Sequence, residues 1–332
     1  MTQQILISGV AGFIGFHLAK RLLAANMQVV GIDNLNDYYD PALKRARLAQ
    51  LQQLDGDFVF HQMDLADAPA LSKLFAHNAF DRVVHLAAQA GVRYSLQNPQ
   101  AYVQSNLVGF ANLLEAVRQA QTPHLLFASS SSVYGLNTHT PFAEAQRTDA
   151  PISLYAATKK SNEVMAFTYS HLFDLPMTGL RFFTVYGPWG RPDMAYWRFT
   201  EKILRGEPIP VFNEGQLARD FTYIDDIVEG IVGLLDHIPD KVAAPQSQAQ
   251  APYVLYNLGH HQPVALLTFI QTLARLLGRP PQLQMLPMQP GDVLTTHADI
   301  TAIQQRIGWQ AQTSLESGLA AFVAWYQDYF DV

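Results

Sequence analysis

The sequence predicts an α/β fold built on a doubly wound parallel sheet, followed by a smaller lobe. The first half of the 332-residue chain alternates short β-rich runs with helical stretches, and a glycine-rich turn joins the first run to the first helix. Several of the runs are continuously apolar, as strands are when helices cover both faces of a sheet. Strict alternation of this kind favours parallel strands joined by right-handed crossovers.

The predicted elements follow one another without long gaps. The strands are expected at Gln4–Ser8, Gln28–Ile32, Asp57–Gln62, Arg82–Leu86, His124–Ser129 and Met177–Phe182. Helices are expected at Phe13–Ala25, Pro41–Leu54, Ala68–His77, Pro99–Gln119 and Tyr155–Phe173. From about Phe183 proline and glycine become frequent and the alternation weakens. We therefore assign residues 1–182 to a Rossmann-type domain and residues 183–332 to a smaller ligand-binding lobe, partly interleaved with it.

The composition excludes several classes of protein. The net charge is −6, and there is no cluster of lysine and arginine, so nothing favours nucleic acid or an anionic membrane as a partner. The absence of cysteine excludes disulfides, thiol nucleophiles and cysteine-bound metals, and the 11 histidines show no metal-binding spacing. No apolar run reaches the ~18–20 residues of a membrane span. The chain enters a strand almost at once, which leaves no room for a signal peptide. We expect a cytoplasmic protein without a metal.

The glycine-rich turn is a candidate phosphate-binding loop. Gly9, Gly12 and Gly15 follow the first strand and open an amphipathic helix. In a dinucleotide-binding turn the first glycine allows the tight turn, the second admits the pyrophosphate, and the third allows close packing of helix and sheet. The helix N-terminus then faces the phosphates. By itself the pattern also fits a plain tight turn between strand and helix.

Two acidic residues at strand ends strengthen the cofactor prediction. Asp33 ends the second strand, about 20 residues past the turn, where a carboxylate accepts hydrogen bonds from the ribose. A carboxylate there repels a 2′-phosphate, which favours NAD over NADP. Asp64 follows the third strand and could meet the adenine. A turn or helix-cap role is the alternative for both residues.

Tyr155, Lys159 and Ser130 form the candidate catalytic set. Tyr155 and Lys159 lie four residues apart, on one face of a helix. A tyrosine, with an ordinary pKa near 10, is a poor base at neutral pH, but a nearby ammonium favours the phenolate. Such a tyrosine moves a hydroxyl proton while a cofactor takes a hydride. Ser130, at the end of the fifth strand, could hydrogen-bond the substrate oxygen; a serine-rich turn with helix caps is the alternative.

These motifs together resemble a known family. GVAGFIG, HLAAQAGVRYS, SSSSVYG, YAATK, RFFTVYGPWGRPD and RDFTYIDD resemble the extended short-chain dehydrogenases/reductases that act on nucleotide sugars. The runs IDNLNDYYD, AGVRYS, YGPWGRPDMA and QPGDV are similar to UDP-glucuronate 4-epimerases. The resemblance implies NAD as cofactor and a homodimer built from two helices of each subunit. The implied NAD contacts are Gly9, Gly12, Phe13, Ile14, Gly15, Asp33, Asn34, Asp64, Leu65, Leu86, Ala87, Ala88, Asn106, Tyr155 and Lys159.

The resemblance also implies a substrate site. Ser131 and Ser132 line the sugar pocket, at positions where related dehydratases carry an acidic pair, so reversible oxidation is favoured over elimination. Thr184 and Arg191, with one or more of Ser130–Ser132, are assigned to a sugar carboxylate, because an arginine fork suits a carboxylate. Further substrate contacts are expected from Arg93 as a weaker candidate for the carboxylate, Val211 and Phe212 at uracil, Arg219 at the diphosphate and Asp292 at the ribose.

The activity implied is inversion of C4 of UDP-glucuronate to give UDP-galacturonate through a 4-keto intermediate. A UDP-glucuronate decarboxylase and a UDP-glucose 4-epimerase are the alternatives. A protein that binds NAD without catalysis is a remote one, because such a protein would have lost Tyr155 or Lys159. Three of the substrate contacts have a structural alternative: a surface loop arginine for Arg191, a structural salt bridge for Arg93, and plain core for Phe212.

Overall fold

The computed structural model describes residues 3–243, 249–288 and 293–332. The chain forms two compact units. The first contains Met1–Gly135, Glu144–Arg181 and Val228–Tyr256, and the second contains Leu136–Ala143, Phe182–Ile227 and Asn257–Val332. The sequence-based boundary after residue 182 lies beside the junction of Arg181 and Phe182. The binding of a nucleotide sugar by the second part stays a prediction.

The strands have the following bounds in the described residues. They are β1 (Gln4–Ser8), β2 (Gln28–Asp33), β3 (Phe58–Gln62), β4 (Arg82–His85), β5 (Leu125–Ser130), β6 (Met177–Phe182), β7 (Thr184–Tyr186), β8 (Ile209–Phe212), β9 (Ala218–Tyr223), β10 (Val242–Ala243), β11 (Gln250–Ala251), β12 (Tyr253–Leu258), β13 (Pro263–Ala265) and β14 (Leu283–Leu286). The six strands predicted from the sequence agree with β1 to β6 within one residue at each end.

The helices connect these strands. They are α1 (Phe13–Ala24), α2 (Pro41–Gln53), α3 (Ala68–His77), α4 (Tyr94–Gln97), α5 (Pro99–Tyr102), α6 (Gly109–Ala120), α7 (Leu154–Phe173), α8 (Ala195–Arg205), α9 (Ile224–Leu235), α10 (Leu266–Leu277), α11 (Thr301–Ile307) and α12 (Leu315–Phe330). A π-helix spans Val103–Val108, and short 3₁₀ turns span Ser131–Tyr134 and Asn213–Gly215.

The main sheet confirms the doubly wound fold. In the part of the chain that the structure describes it has seven strands, in the order β3-β2-β1-β4-β5-β6-β12. The pairings β1–β2, β1–β4, β2–β3 and β4–β5 are all parallel. The direction of winding reverses where β1 lies beside β4, and ligands of such sheets bind at the carboxyl ends of the strands at this switch point. The glycine turn after β1 and the loop after β4 both lie there.

The second unit is built from smaller sheets and an aromatic core. Its strands form the sheets β13-β9-β7 and β14-β8 within the described ranges. Trp197 of α8 packs its ring against Phe322, Trp325 and Tyr326 of α12, with ring centroids 5.4–6.2 Å apart. Large aromatic rings of this kind remove much apolar area from water and supply most of the burial energy of a small lobe.

One predicted helix is wrong in detail. Pro99–Gln119 is not a continuous α-helix, because the π-helix of Val103–Val108 separates α5 from α6. A π turn holds one extra residue and releases a backbone carbonyl from its usual α-helical partner. Asn162 Nδ2 of α7 donates to the carbonyl oxygen of Asn106 at 2.6 Å. Hydrophobic periodicity alone does not reveal a one-residue insertion whose released carbonyl oxygen accepts a hydrogen bond from another helix.

The first unit should lose stability below pH 6.5. Burial lowers the pKa of His85 to about 3, with the charge of Lys159 as a smaller cause, and lowers that of His124 to about 4. Both imidazoles are therefore neutral in the folded protein, whereas in the unfolded chain they take up protons below pH ~6.5. Stability is fully present above that pH and falls as the pH drops towards the folded pKa values. Each histidine should lower the free energy of unfolding by about 2 kcal/mol when the pH falls from 7.5 to 5.

Urea unfolding at the two pH values checks this prediction. His124→Asn keeps a donor for the carbonyl oxygen of Leu235, which the ring contacts through Nδ1 at 3.1 Å. Because asparagine does not titrate, the free energy of unfolding should fall by about 2 kcal/mol less in the variant than in wild type when the pH is lowered. An equal loss in the two proteins would contradict the account.

No helix in the described ranges is long and apolar enough to cross a membrane. The cytoplasmic location stays a prediction.

Candidate active site

The three glycines of the turn are each required by the backbone around them. Gly9 has φ +76°, and a Cβ atom added to it would lie 2.7 Å from the backbone nitrogen of Ala87. A Cβ on Gly12 would lie 2.9 Å, and one on Gly15 2.2 Å, from the carbonyl oxygen of Gly9. These distances are too short for any side chain. The backbone around Gly9 and Gly15 therefore admits no side chain. The nearest atoms to Gly15 belong to the turn itself, so the predicted close packing of helix and sheet at Gly15 is wrong.

The start of α1 is suited to hold an anion. Gly12 is its N-cap, and no side chain within the described residues caps it. The first backbone N–H groups of a helix have no partner inside the helix, and together with the helix dipole they favour a bound phosphate. Gly12 and Ile14 are partly exposed, whereas Phe13 is only 4% exposed and packs in the core. The turn therefore exposes backbone at Gly12 and part of Ile14, but not the side chain of Phe13.

Asp33 ends β2 in a buried, hydrogen-bonded setting. Its carboxylate accepts from the backbone nitrogens of Leu35 at 2.9 Å and Ala11 at 3.2 Å. Burial raises the pKa of this carboxyl, while the two backbone donors and the charge of Lys44 lower it. Sequence reasoning missed Lys44 and Arg47, both buried in α2. Arg47 donates to the carbonyl oxygen of Ala11 at 2.8 Å and so holds the glycine turn.

Asp64, which follows β3, is hydrogen-bonded to the residue after Asp33 at the end of β2. Its carboxylate accepts from Asn34 Nδ2 at 2.8 Å and from the backbone nitrogen of Ala66 at 2.8 Å. The cap of α3 is Asp67, so the alternative role of Asp64 as helix cap is wrong. Leu65, the next residue, is 7% exposed and packs in the core. The exposed edge at this place is formed by Asn34 and Asp64.

Asn106 links the loop after β4 to α7. Its side-chain amide accepts from the backbone nitrogen of Gln89 at 2.8 Å and donates to the carbonyl oxygen of Gln89 at 3.0 Å. It also donates to Thr158 Oγ1 of α7 at 3.0 Å. The loop residues Leu86, Ala87 and Ala88 are partly exposed. Both amide hydrogens of Asn106 therefore have protein partners, and its contact with NAD stays a prediction.

Ser130 is the last residue of β5 and the cap of the 3₁₀ turn that follows. Its Oγ accepts from the backbone nitrogen of Ser132 at 3.2 Å and donates to Ser132 Oγ at 3.1 Å. The alternative that the serine run caps a turn is thus confirmed for Ser130. It does not exclude the catalytic role, because a hydroxyl has two acceptor lone pairs. Ser131 and Ser132 are partly exposed.

Tyr155 lies in the first turn of α7, which Ser153 caps by accepting from the backbone nitrogen of Ala156. Its ring packs edge-on against that of Tyr102, with centroids 6.2 Å apart. Lys159, one turn later, is 2% exposed, and its Nζ donates to the carbonyl oxygen of Ala128 at 2.8 Å. Burial lowers the pKa of Lys159 to about 8. The helix thus brings a desolvated lysine, one turn after Tyr155, into contact with β5.

Thr184 and Arg191, two of the residues predicted to hold the sugar carboxylate, lie in the second unit. Thr184 begins β7 and is partly exposed. Arg191 forms a two-point ion pair with Asp193, in which Nε contacts Oδ1 at 2.9 Å and Nη2 contacts Oδ2 at 2.6 Å. Sequence reasoning missed Asp193, although it belongs to the motif that carries Arg191. The pair fixes the plane of the guanidinium.

The loop that carries Arg191 contains an unusual backbone conformation. Trp189, two residues before Arg191, has φ +58°, which is uncommon for a large side chain. Its ring packs against Trp325 and Tyr329 of α12, with centroids 5.2 and 5.0 Å apart. Such conformations persist where the surrounding packing fixes them, and they cluster at ligand sites.

The predicted nucleotide contacts are only partly accessible. Val211 is fully buried, whereas Phe212 is partly exposed, so the predicted uracil contact rests on Phe212. Arg219 donates to the carbonyl oxygens of Ala218 at 2.9 Å and Leu294 at 3.2 Å. Asp292 lies outside the described residues. Arg93, in the first unit, immediately precedes α4 and is exposed.

No group of three or more histidine, aspartate or glutamate side chains placed to hold a metal occurs in residues 3–243, 249–288 and 293–332.

Known proteins are similar to this chain over nearly its whole length. A family model described as GDP-mannose 4,6 dehydratase matches residues 6–322. A probable UDP-glucuronate 4-epimerase of Rhizobium meliloti is 49% identical over 97% of this chain and 96% of its own length. UDP-glucuronate 4-epimerase 3 of Arabidopsis thaliana is 49% identical over 98% of this chain and 77% of its own.

A solved structure extends the similarity to the fold. UDP-glucuronic acid 4-epimerase from Bacillus cereus, in complex with UDP-glucuronic acid and NAD, is 33% identical with a TM-score of 0.88. The alignment covers 98% of this chain and 100% of that one. The resemblance stated from the sequence motifs is confirmed, and the chain belongs to the extended short-chain dehydrogenase/reductase family of nucleotide-sugar epimerases and dehydratases.

Proposed function

We propose that the protein is a UDP-glucuronate 4-epimerase, which interconverts UDP-glucuronate and UDP-galacturonate through a 4-keto intermediate. The observation that carries the proposal is the contact of Lys159 Nζ with the carbonyl oxygen of Ala128, which joins the helix that carries Tyr155 to the strand that ends at Ser130. Ser131 and Ser132 follow, at positions where the resemblance implies an acidic pair in dehydratases. Elimination of water requires an acid for the leaving hydroxyl, and the serines cannot supply one. The 49% identity to UDP-glucuronate 4-epimerases supports the same reaction.

The first unit has the features that an NAD site requires. The uncapped start of α1 would hold the diphosphate, and the carboxylate of Asp33 would accept from the ribose hydroxyls. The three glycines leave room for a ligand to approach the backbone of the turn. NAD, when bound, supplies a hydride acceptor at C4 and returns the same hydride, so the net reaction consumes no oxidant.

The side chains of α7 and β5 supply the proton chemistry. Tyr155, as phenolate, removes the proton of the C4 hydroxyl as the C4 hydride leaves. Lys159, whose ammonium is desolvated, favours the phenolate. Ser130 hydrogen-bonds the C4 oxygen in both directions of the reaction. After the keto sugar has rotated, Tyr155 returns the proton to the C4 oxygen, and C4 is inverted.

The carboxylate of the sugar must be restrained during this step. A 4-keto uronate is a β-keto acid and can lose CO2. Arg191 and Thr184 are proposed to hold the carboxylate, since charge-assisted bonds from a guanidinium orient a carboxylate strongly. The ion pair in which Arg191 donates to the carboxylate of Asp193 supports the proposal, because it fixes the orientation of the guanidinium before a substrate binds.

Incubation with UDP-glucuronate, without added NAD, tests the proposed function. UDP-galacturonate as the product, separated by sugar-nucleotide chromatography, would support it. UDP-xylose or CO2 would instead indicate a decarboxylase. Conversion of UDP-glucose to UDP-galactose, with no reaction of UDP-glucuronate, would indicate a UDP-glucose 4-epimerase and contradict the role of Arg191.

A homodimer is the expected assembly. Val108 at the end of the π-helix is 38% exposed and Val164 of α7 is 54% exposed, as expected for apolar side chains that meet a partner. Phe110 of α6, by contrast, is fully buried against Phe127 and His85. Sedimentation of wild type should give a dimer and Val164→Glu a larger share of monomer. A wild-type monomer would contradict this prediction.

A further inference from the structure

A buried ion pair lies directly behind the catalytic strand and helix, in the first unit. Glu163 of α7 accepts from Arg181 of β6 at two points, Oε1 from Nε at 2.8 Å and Oε2 from Nη2 at 2.9 Å. The two side chains are 3% and 2% exposed. A buried pair of this kind is weak evidence for stability, because desolvation of the charges offsets their attraction. Its geometry is therefore more informative than its energy.

The carboxylate of Glu163 also contacts the strand that carries Ser130. Ser129 Oγ donates to Glu163 Oε1 at 2.6 Å. Neighbouring side chains of a strand point to opposite faces, so a fixed Ser129 determines the direction of Ser130. Lys159 Nζ contacts the carbonyl oxygen of Ala128, one residue earlier. Lys159 and Glu163, one helical turn apart, thus fix two consecutive residues of β5 against the helix that carries Tyr155.

The other side of the ion pair holds the turn after Ser130. Arg181 Nη1 donates to the hydroxyl of Tyr134 at 3.0 Å and to the carbonyl oxygen of Glu144 at 3.3 Å. Tyr134 ends the 3₁₀ turn that begins at Ser131. The hydroxyl of Tyr253 donates to the backbone oxygen of Glu163 at 3.2 Å. The serines are therefore held on both sides, through Ser129 before them and Tyr134 after them.

We propose that Glu163 is a positioning residue for catalysis. Through Ser129 and Arg181 it sets the position of Ser130 relative to Tyr155, although it does not contact the substrate. This inference rests on the proposed function, in which both groups act on the same C4 oxygen. A carboxylate is required because it accepts the serine hydroxyl and two guanidinium N–H groups at once, whereas a glutamine would turn N–H groups towards one of these donors.

Ser129→Ala tests the proposal with the least disturbance, because it removes only the bond from β5 to Glu163. With kcat normalised to bound NAD, we expect a fall of about 10-fold or more, since misplacement by about 1 Å can cost 10²-fold. KM for UDP-glucuronate and the NAD content should stay within about 2-fold, because their contacts lie elsewhere. Ser129→Thr retains a hydroxyl and should recover most of the rate. Glu163→Gln, which keeps the shape, should lower kcat in the same way.

Thr178→Val is the matched control. Thr178 is fully buried near the other end of β6 and bonds to Nε2 of His124 at 2.9 Å. The variant should lower Tm as Ser129→Ala does, yet leave kcat unchanged. Equal kcat values for wild type and Ser129→Ala, or no recovery in Ser129→Thr, would overturn the inference. If wild type does not convert UDP-glucuronate, the proposed function fails by itself, and the same comparison is then made with UDP-glucose.

Discussion

Replacement of Tyr155 by phenylalanine is expected to lower kcat by a factor of about 10³, within the 10²–10⁴ range of general acid–base catalysis. Only the phenolic oxygen is lost, and the proposed chemistry gives no other side chain of α7 the role of moving the C4 hydroxyl proton. The ring still packs against Tyr102, so the helix should keep its place. Bound NAD and the Kd for UDP-glucuronate should therefore stay close to the wild-type values.

The comparison needs a tyrosine of the same helix as control. Tyr169 lies on α7, packs against Phe173 and has no place in the proposed chemistry. Tyr169→Phe should keep the wild-type rate. Rates are measured by formation of UDP-galacturonate, and binding by calorimetry. A Tyr155→Phe variant with near-normal kcat would remove the assignment of the catalytic base.

Replacement of Arg191 by methionine is expected to raise KM for UDP-glucuronate by about 10- to 150-fold. A hydrogen bond to a charged group contributes about 1.5–3 kcal/mol, and that range corresponds to these factors. The variant also leaves the carboxylate of Asp193 without its arginine, which adds repulsion of the sugar carboxylate. Loss of the restraint should release part of the keto intermediate as CO2. UDP-glucose, which has no carboxylate, should bind as it does to wild type.

Asp193→Asn tests the carboxylate of this ion pair separately from the guanidinium. It keeps the guanidinium of Arg191 and removes only the carboxylate that it contacts. The variant should retain binding of UDP-glucuronate and release no additional CO2. If Arg191→Met leaves KM and the product unchanged, Arg191 does not hold the sugar carboxylate. Its role is then structural, as the partner of Asp193 in the loop.

Most of the first unit could be predicted from the sequence because its signals are local. The strands β1 to β6 are short apolar runs between helices, and the structure places them within a residue of the prediction. The glycine turn is largely local, since Gly15 is constrained by backbone atoms of the turn and Gly9 by backbone atoms of the loop after β4. The i,i+4 spacing of Tyr155 and Lys159 is a property of any helix.

The features that were missed depend on partners far apart in the sequence. Glu163 lies four residues after Lys159, which hints at a shared helix face, but nothing local identifies Arg181 as its partner. The π-helix depends on Asn162, 56 positions from the carbonyl that it satisfies. Burial of Phe110 likewise follows from packing on Phe127 and His85, not from its place in a helical pattern.

The central claim is that C4 is oxidised and reduced again by the same hydride, with Tyr155 moving the proton. UDP-glucuronate labelled with deuterium at C4 tests it most directly, with the product analysed by mass spectrometry and NMR. The account predicts UDP-galacturonate that retains the deuterium at C4 when the reaction is run in ordinary water without added NAD. Loss of the label to solvent, or inversion at any other carbon, would contradict it.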